Sequence, residues 1–217
     1  GFALVRMSGC DWPLRFIRLW APRLCAEALE LGIEPGYVNA LIRRLALPAP
    51  SIQIDQWPWR VKIYTLGRFK ILLDDKLLSF SHKVPKKPIA LLKAIIAFGG
   101  ADVPETKLTD VLWPDEDGAA AREACKIALH RLRKLLGNSN TLQVEDGRVS
   151  VNPREVWIDA NAFEHAADTG ADSNRIERLY QGQFLPEERE ASWALSSRER
   201  LRGKFIRHVQ REGLRLE

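Results

Sequence analysis

Hydrophobic positions recur along this chain at two spacings, and the switches between them mark its organisation. Leu24, Cys25, Ala28 and Leu29 fall on one side of a helix opened by Pro22 and ended at Gly32. Val38, Leu41, Ile42 and Leu45 line a second helix opened by Pro35, so a helical hairpin is predicted. Ahead of it, residues 1–20 give only a weak apolar cluster of Phe16, Ile17, Leu19 and Trp20, interrupted by Trp12-Pro13. From Pro48 to Pro58 prolines punctuate a stretch without period, which predicts a connector. At Trp59 the spacing drops to two. Val61, Ile63 and Thr65 alternate with polar neighbours, Gly67 permits a turn, and Phe69, Ile71 and Leu73 alternate in turn. After Asp74-Asp75, Leu77, Leu78 and Phe80 predict a third short strand of an antiparallel meander.

The helical spacing returns after a basic loop, Lys83 to Lys87. Pro88 is expected at the first position of a helix with Ala90, Leu91, Ala94, Ile95 and Phe98 inward, closed by Gly99-Gly100. Val103 suits a single bridge, and Leu108, Val111 and Leu112 predict a short helix from Glu105 to Trp113, stopped by Pro114. A long helix over 119–136 follows. Asp117 is placed to cap it, and Gly137 to close it in a left-handed conformation. Ala121, Cys125, Ala128, Leu129, Leu132 and Leu136 form one apolar stripe. The far side carries Lys126, Ile127, His130, Arg131 and Lys134, with Arg122 and Arg133 on the flanks. Alternation then resumes on both sides of Asp146-Gly147, a strong hairpin signal with Arg148 beside its tip. Val156, Trp157 and Ile158 add a last strand. Beyond Asp159 the pattern is helical: Ala162, Phe163, Ala166 and Ala167; then Ile176, Leu179 and Tyr180; then a helix over 191–212. Trp193, Leu201, Phe205, Ile206 and Val209 are its expected apolar residues, and Arg198, Arg200, Arg202, Lys204, Arg207 and Arg211 its expected surface.

Composition changes this picture little. The 217 residues carry a formal charge of +5 and 46% hydrophobic residues, which fits a folded protein with a mildly basic surface. Cys10, Cys25 and Cys125 are scattered, so neither a disulfide framework nor a zinc site is expected, and a reducing, cytoplasmic setting fits them. No apolar run reaches the ~18 residues of a membrane span, and no membrane partner is expected. The four histidines are isolated, and phosphate-loop, nucleophile-elbow and zinc-protease motifs are missing. The carboxylates of Asp115–Asp117 suit a helix N-terminus and those of Glu187–Glu190 a solvated loop. No catalytic, cofactor or metal residues are assigned, and the expectation is a non-enzyme. The start at Gly1, in mid-pattern, suggests a piece of a longer protein.

Strands, two helices, a basic helix and a hairpin make the order of a winged helix. A basic helix alone is ordinarily a solvated face, but a helix-turn-helix beside a hairpin gives it a partner. An α-helix fits the DNA major groove.

Particular residues sharpen this. Leu66-Gly67-Arg68-Phe69, Leu108 to Asp115 (L-T-D-V-L-W-P-D), Lys126 to Lys134 (K-I-A-L-H-R-L-R-K) and Val156-Trp157-Ile158-Asp159 resemble segments of the Streptomyces antibiotic regulatory protein (SARP) family. The resemblance covers about residues 60–217. It implies an α+β fold: an OmpR-type winged helix-turn-helix over 59–158, with N-terminal antiparallel strands, three helices and a C-terminal wing hairpin. A helical segment over 159–217 then resembles the start of a bacterial transcriptional activator domain. Residues 51–58 would be a linker and 1–50 the end of a helical-repeat sensor arm in a larger regulator. The implied activity is sequence-specific binding of double-stranded DNA at tandem repeats, with RNA polymerase as a further partner and a homodimer on the DNA. Expected contacts are Arg122, Lys126, Ile127, His130, Arg131, Arg133 and Lys134, with Arg148 of the wing and Lys83, Lys86 and Lys87. Arg131, Arg133 and the lysine loop would hold phosphates. Two departures bear on base preference: Glu123-Ala124 stand where the family often has Asn-Ser, and Lys126 replaces a common arginine, losing its bidentate fork. The alternative is a protein-interaction module on a winged-helix scaffold.

Overall fold

A computed structural model describes residues 20–52, 54–79 and 85–216. The protein is mixed α+β, with eight α-helices and two small sheets among the described residues. It divides into two compact units, Gly1–Trp59 and Arg60–Glu217.

The first unit holds the predicted hairpin, α1 (Ala21–Glu30) and α2 (Pro35–Leu45). Ala21, Cys25, Ala28 and Leu29 of α1 and Val38, Leu41 and Ile42 of α2 are buried. Leu24, expected inside, is 42% exposed, because the buried residues turn their stripe away from it; Ala26 is buried instead. The proline-punctuated stretch is packed: Ile54, Trp57 and Trp59 are buried, and the Trp59 indole donates to the Ile54 carbonyl at 2.8 Å. Of the apolar cluster expected from Phe16, Ile17, Leu19 and Trp20, only Trp20 is among the described residues, and it is exposed.

In the second unit β1 (Val61–Tyr64), β2 (Lys70–Leu73) and β3 (Lys76–Leu77) form the expected meander. Phe80, expected in its third strand, lies outside the described residues. Then come α3 (Lys86–Ala97), β4 (Val103–Pro104), α4 (Glu105–Leu112), α5 (Gly118–Leu135), β5 (Leu142–Glu145), β6 (Arg148–Val151) and β7 (Val156–Ile158). The hairpin β5–β6 takes β4 as a third strand, in the order β4-β6-β5. By contrast, β7 returns to pair parallel with β1, giving the order β3-β2-β1-β7. Leu91, Leu92 and Ile95 of α3, Leu108 of α4 and Leu132 of α5 are fully buried, and α3 packs on both α4 and α5. Helix α3 starts two residues earlier than expected, so Lys86 and Lys87 are its first turn and no loop. Pro88 is tolerated there because N–H groups of a first turn need no partner in the helix.

Three helices complete the unit: α6 (Asp159–Thr169), α7 (Ser173–Leu179) and α8 (Ser192–Leu216). Here the structure corrects three expectations. Arg198, expected on the surface, is 9% exposed and donates to the carbonyls of Phe184, Leu185 and Glu188. Ile206 and Val209, expected to pack, are 41% and 49% exposed; α8 buries Ala194, Ser197, Leu201 and His208 instead. The loop Glu187–Glu190 is not simply solvated, because Glu188 pairs at 2.7 Å with the ammonium of Lys93, whose side chain is 8% exposed. That ammonium also lies 4.3 Å from the Phe69 ring centre.

One carboxylate joins these parts. Asp159, 2% exposed, continues β7 into α6 and lies beside the end of β1. Its Oδ1 accepts from the Thr65 hydroxyl at 2.6 Å and from the Ala160 N–H at 2.7 Å. The Thr65 N–H reaches both oxygens at 2.8 Å, and the Leu66 N–H reaches Oδ2 at 2.9 Å. The same stretch bridges to the loop before α8: Gly67 N–H donates to the Gln183 carbonyl, Leu185 N–H to the Thr65 carbonyl, and Leu66 pairs with Phe184. Gly67 has φ +80°, and a Cβ there would stand 2.5 Å from the Gln181 carbonyl oxygen, so no other residue fits without displacing backbone.

Burial raises the Asp159 carboxyl from 3.8 to about 6, against the pull of its hydrogen-bond donors. The native state therefore holds a proton that the unfolded chain releases between those values. The group's contribution to stability falls as pH rises through that window. Asp159→Asn sets an amide N–H against backbone N–H groups and is expected to cost roughly 2–4 kcal/mol. Because the asparagine does not titrate, the cost relative to wild type should be larger at pH 4 than at pH 7, by about 3 kcal/mol at most. Urea unfolding of both proteins at the two pH values measures this; a cost that grows with pH would show a carboxyl held ionised throughout.

A candidate nucleic-acid interface

The candidate surface is built on α5. The Asp117 carboxylate accepts from the N–H groups of Ala119 and Ala120, both at 2.9 Å. These bonds, that to Ala120 foremost, hold its pKa below the ordinary value. At the other end Arg133 and Lys134 occupy the last turn, where cations complement the helix dipole, and Gly137 follows with φ +71°. Ala121, Cys125, Ala128, Leu129, Leu132 and Leu136 are all buried, as the apolar stripe predicts. Helix α5 packs on α3 and α4. The Arg60 guanidinium donates to the Gly137 carbonyl, tying the start of the first sheet to the end of α5.

The opposite face is open. Arg122, Lys126, Ile127, His130, Arg131 and Lys134 are all exposed, Ile127 by 45%. Among the described residues, the side chains of Lys126, Arg131 and Lys134 make neither an ion pair nor a hydrogen bond, while the charge of Arg122 helps to lower the Asp117 pKa. Ile127, His130 and Lys134 follow one another at helical spacing along the middle of this face, with Lys126 and Arg131 on opposite sides. Lys134 therefore belongs to the centre line. So does exposed Glu123, one turn before Ile127, which is not among the contacts expected from sequence. Its i−4 relation to Ile127 is legible in sequence; its negative sign sets it apart from a basic run. With Asp115, Glu116 and Asp117 ahead of the helix it makes the N-terminal end of the face acidic, and of the cations only Arg122 lies within that end.

Other expected contacts are engaged within the fold. Arg133, half-buried, donates through Nε at 3.2 Å and a terminal nitrogen at 3.0 Å to the Leu142 carbonyl, fastening α5 to the start of the hairpin. Lys87 donates to the Leu112 carbonyl at 2.5 Å and lies 5.1 Å from the Trp113 ring centre, closing the C-terminal end of α4. Lys86 is exposed. Lys83 lies outside the described residues. Arg148 is exposed on β6 and donates to the Asp102 carbonyl at 2.9 Å.

The hairpin tip turns through Asp146 and Gly147 with φ of +47° and +69°, the twist a two-residue turn requires. It is also anchored, since the Glu105 N–H at the start of α4 donates to the Gly147 carbonyl at 2.9 Å. The basic helix, its preceding helix and the hairpin thus hold one another through named bonds. Beyond this surface, Cys25 and Cys125 are buried thiols pushed up to about 11, mainly by burial, and so poor nucleophiles at neutral pH. No cluster of three or more His, Cys, Asp or Glu able to hold a metal occurs among the described residues. No helix among them is long and apolar enough to cross a membrane.

No family model matches the chain, and no curated protein matches it. Among solved structures the chain is similar to Mycobacterium tuberculosis EmbR, determined in complex with a low affinity phosphopeptide. The identity is 20% and the TM-score 0.50, over 69% of this chain and 44% of that one. The chain therefore spans less than half the length of that protein, and the likeness is one of fold.

Proposed function

We propose that residues 60–158 are an OmpR-type winged helix-turn-helix that binds double-stranded DNA within a bacterial transcriptional regulator. In this reading α5 enters the major groove and the β5–β6 wing meets the neighbouring backbone or minor groove. The observation that carries the reading is the open face of α5, where Lys126, Arg131 and Lys134 make no ion pair or side-chain hydrogen bond among the described residues while the reverse face is packed. The SARP-like segments and the fold likeness support it. Residues 51–58 would connect the module to a helical arm over 1–50, and residues 159–217 would begin an activator domain. A cytoplasmic location, RNA polymerase as a partner and tandem operator repeats belong to the same proposal.

The chemistry divides along the helix. Recognition helices read bases with their N-terminal residues. There Lys126 can donate to guanine, Ile127 can pack on a thymine methyl and Glu123 can accept from cytosine. Arg131 and Lys134 lie further on, away from the acidic N-terminal end, and suit phosphates. Arg133 and Lys87 would shape the surface through the carbonyls they hold, with little direct contact. The exposure of Ile127 and of Val144 in the wing (36%) favours one rival, a protein partner seated on the same face. A mobility-shift titration against duplexes selected from random DNA separates the two, since a protein-docking face gives no retarded band at moderate salt.

Two outcomes are expected on the selected duplex. Arg131→Ala should weaken all sequences alike and lower the salt slope by about one unit. Lys126→Ala should relax preference at a single position by about 1–3 kcal/mol, and Ile127→Ala by less. Binding isotherms against point-substituted duplexes at several salt concentrations check this; a changed sequence ranking for Arg131→Ala with none for Lys126→Ala means that the roles are reversed.

Gly147→Val tests the wing. A β-branched residue at φ +69° is strained by roughly 1–3 kcal/mol, which should loosen the hairpin and weaken DNA binding while leaving the α3–α5 core folded. Circular dichroism and the same isotherms measure both, and undiminished binding would remove the wing from the interface.

A further inference from the structure

Helix α8 packs on α3 and α6 along the face that buries Ala194, Ser197 and Leu201. The Ser197 hydroxyl donates to the Ala97 carbonyl, which ties α8 to the end of α3. Beside this contact the packing stops. The chain leaves α3 through Phe98 and Gly99, and a Cβ at Gly99 would meet nothing within 4 Å. A cleft of about 390 Å³ remains there, within the size range of small-molecule sites. Besides the end of α3, its walls are Lys107 of α4, Glu164 of α6, and Trp193, Ser196 and Arg200 of α8. It therefore opens between the helix that precedes α5 and the helices that follow residue 158.

The lining selects a ligand by charge and shape. Lys107 is exposed, with its ammonium 4.1 Å from the Phe98 ring centre, and it makes no ion pair or hydrogen bond among the described residues. Arg200 donates to Glu164 and, at 3.4 Å, to the Ser197 hydroxyl. Those two bonds leave the rest of its five N–H donors free. Glu164 is shared with Lys204 at 3.2 Å. Two cations and one carboxylate thus line the cleft, a surplus of one positive charge. A cationic ligand would face the unpaired Lys107, and a neutral one would leave its ammonium unmatched. A phosphate dianion would exceed the surplus and meet Glu164. A carboxylate carries one charge, and its two oxygens suit guanidinium and ammonium donors. Half-buried Trp193 supplies a flat apolar wall, against which an aromatic ring packs. We propose that this cleft binds a small aromatic carboxylate, its charge on Lys107 and Arg200 and its ring along Trp193.

Calorimetric titration of the 217-residue chain tests this. The probes are benzoate, phenylacetate, naphthoate and indole acetate, each beside its uncharged amide, and inorganic phosphate. At least one carboxylate should saturate a single site with a Kd of about 1 mM or tighter, as suits so small a ligand. Its amide and phosphate should bind at least about tenfold more weakly. Lys107→Gln removes the unpaired cation and should weaken the carboxylate by about tenfold. Ser196→Phe fills the cleft from an exposed position and should abolish saturable binding. Thermal melts confirm that both substitutions leave the fold intact, and the bound carboxylate should raise the melting temperature of the wild type alone among the three by mass action. Four outcomes would each overturn the inference: no carboxylate that saturates, an amide bound as tightly as its acid, phosphate bound more tightly than every carboxylate, or variants that bind like wild type. The proposed DNA binding would stand unaffected, because no DNA is present and no residue of α5 is changed.

Discussion

The second unit depends on one buried anion. Asp159 ends the strand that closes the first sheet and begins the helix that leads away from it. Its two oxygens collect the N–H groups of Thr65, Leu66 and Ala160 and the Thr65 hydroxyl. A carboxylate this deep is tolerated only because those donors replace its water. In return it fixes the backbone at Thr65 and Leu66, which is the template for the extended segment at Phe184–Leu185. That segment gives its carbonyls to Arg198 of α8. A single polar chain of contacts thus runs from β1 through Asp159 and Leu185 to α8. The helices after 158 are therefore continuous with the module that carries α5, in agreement with the compact unit Arg60–Glu217.

Much of this is legible in sequence, and the reason is local. Alternation in Val61–Tyr64, the Asp146-Gly147 turn, the Asp117 cap and the stripe from Ala121 to Leu136 are each decided within a few residues by period and turn chemistry. What escapes is long-range and polar. Nothing near Arg198 distinguishes it from Arg200 or Arg202; only the carbonyls of residues 184–188, brought beneath it by the fold, make it a core residue. Asp159 enters the sequence pattern as part of a resemblance, without its role, because its donors other than Ala160 lie some ninety residues earlier. Ile206 and Val209 are expected inward because apolar residues usually are, while α8 buries Ala194, Leu201 and His208.

The same distinction sorts the candidate site. Basic residues predicted from one run are of two physical kinds. Arg133 and Lys87 hold carbonyls at helix and strand ends, where a cation stabilises backbone oxygens left without partners. Lys126, Arg131 and Lys134 hold nothing among the described residues. Sequence shows charge but not commitment, so the surface available to an anionic partner is narrower than the run K-I-A-L-H-R-L-R-K suggests. It is also displaced toward the C-terminal part of α5 by the acidic turn and Glu123.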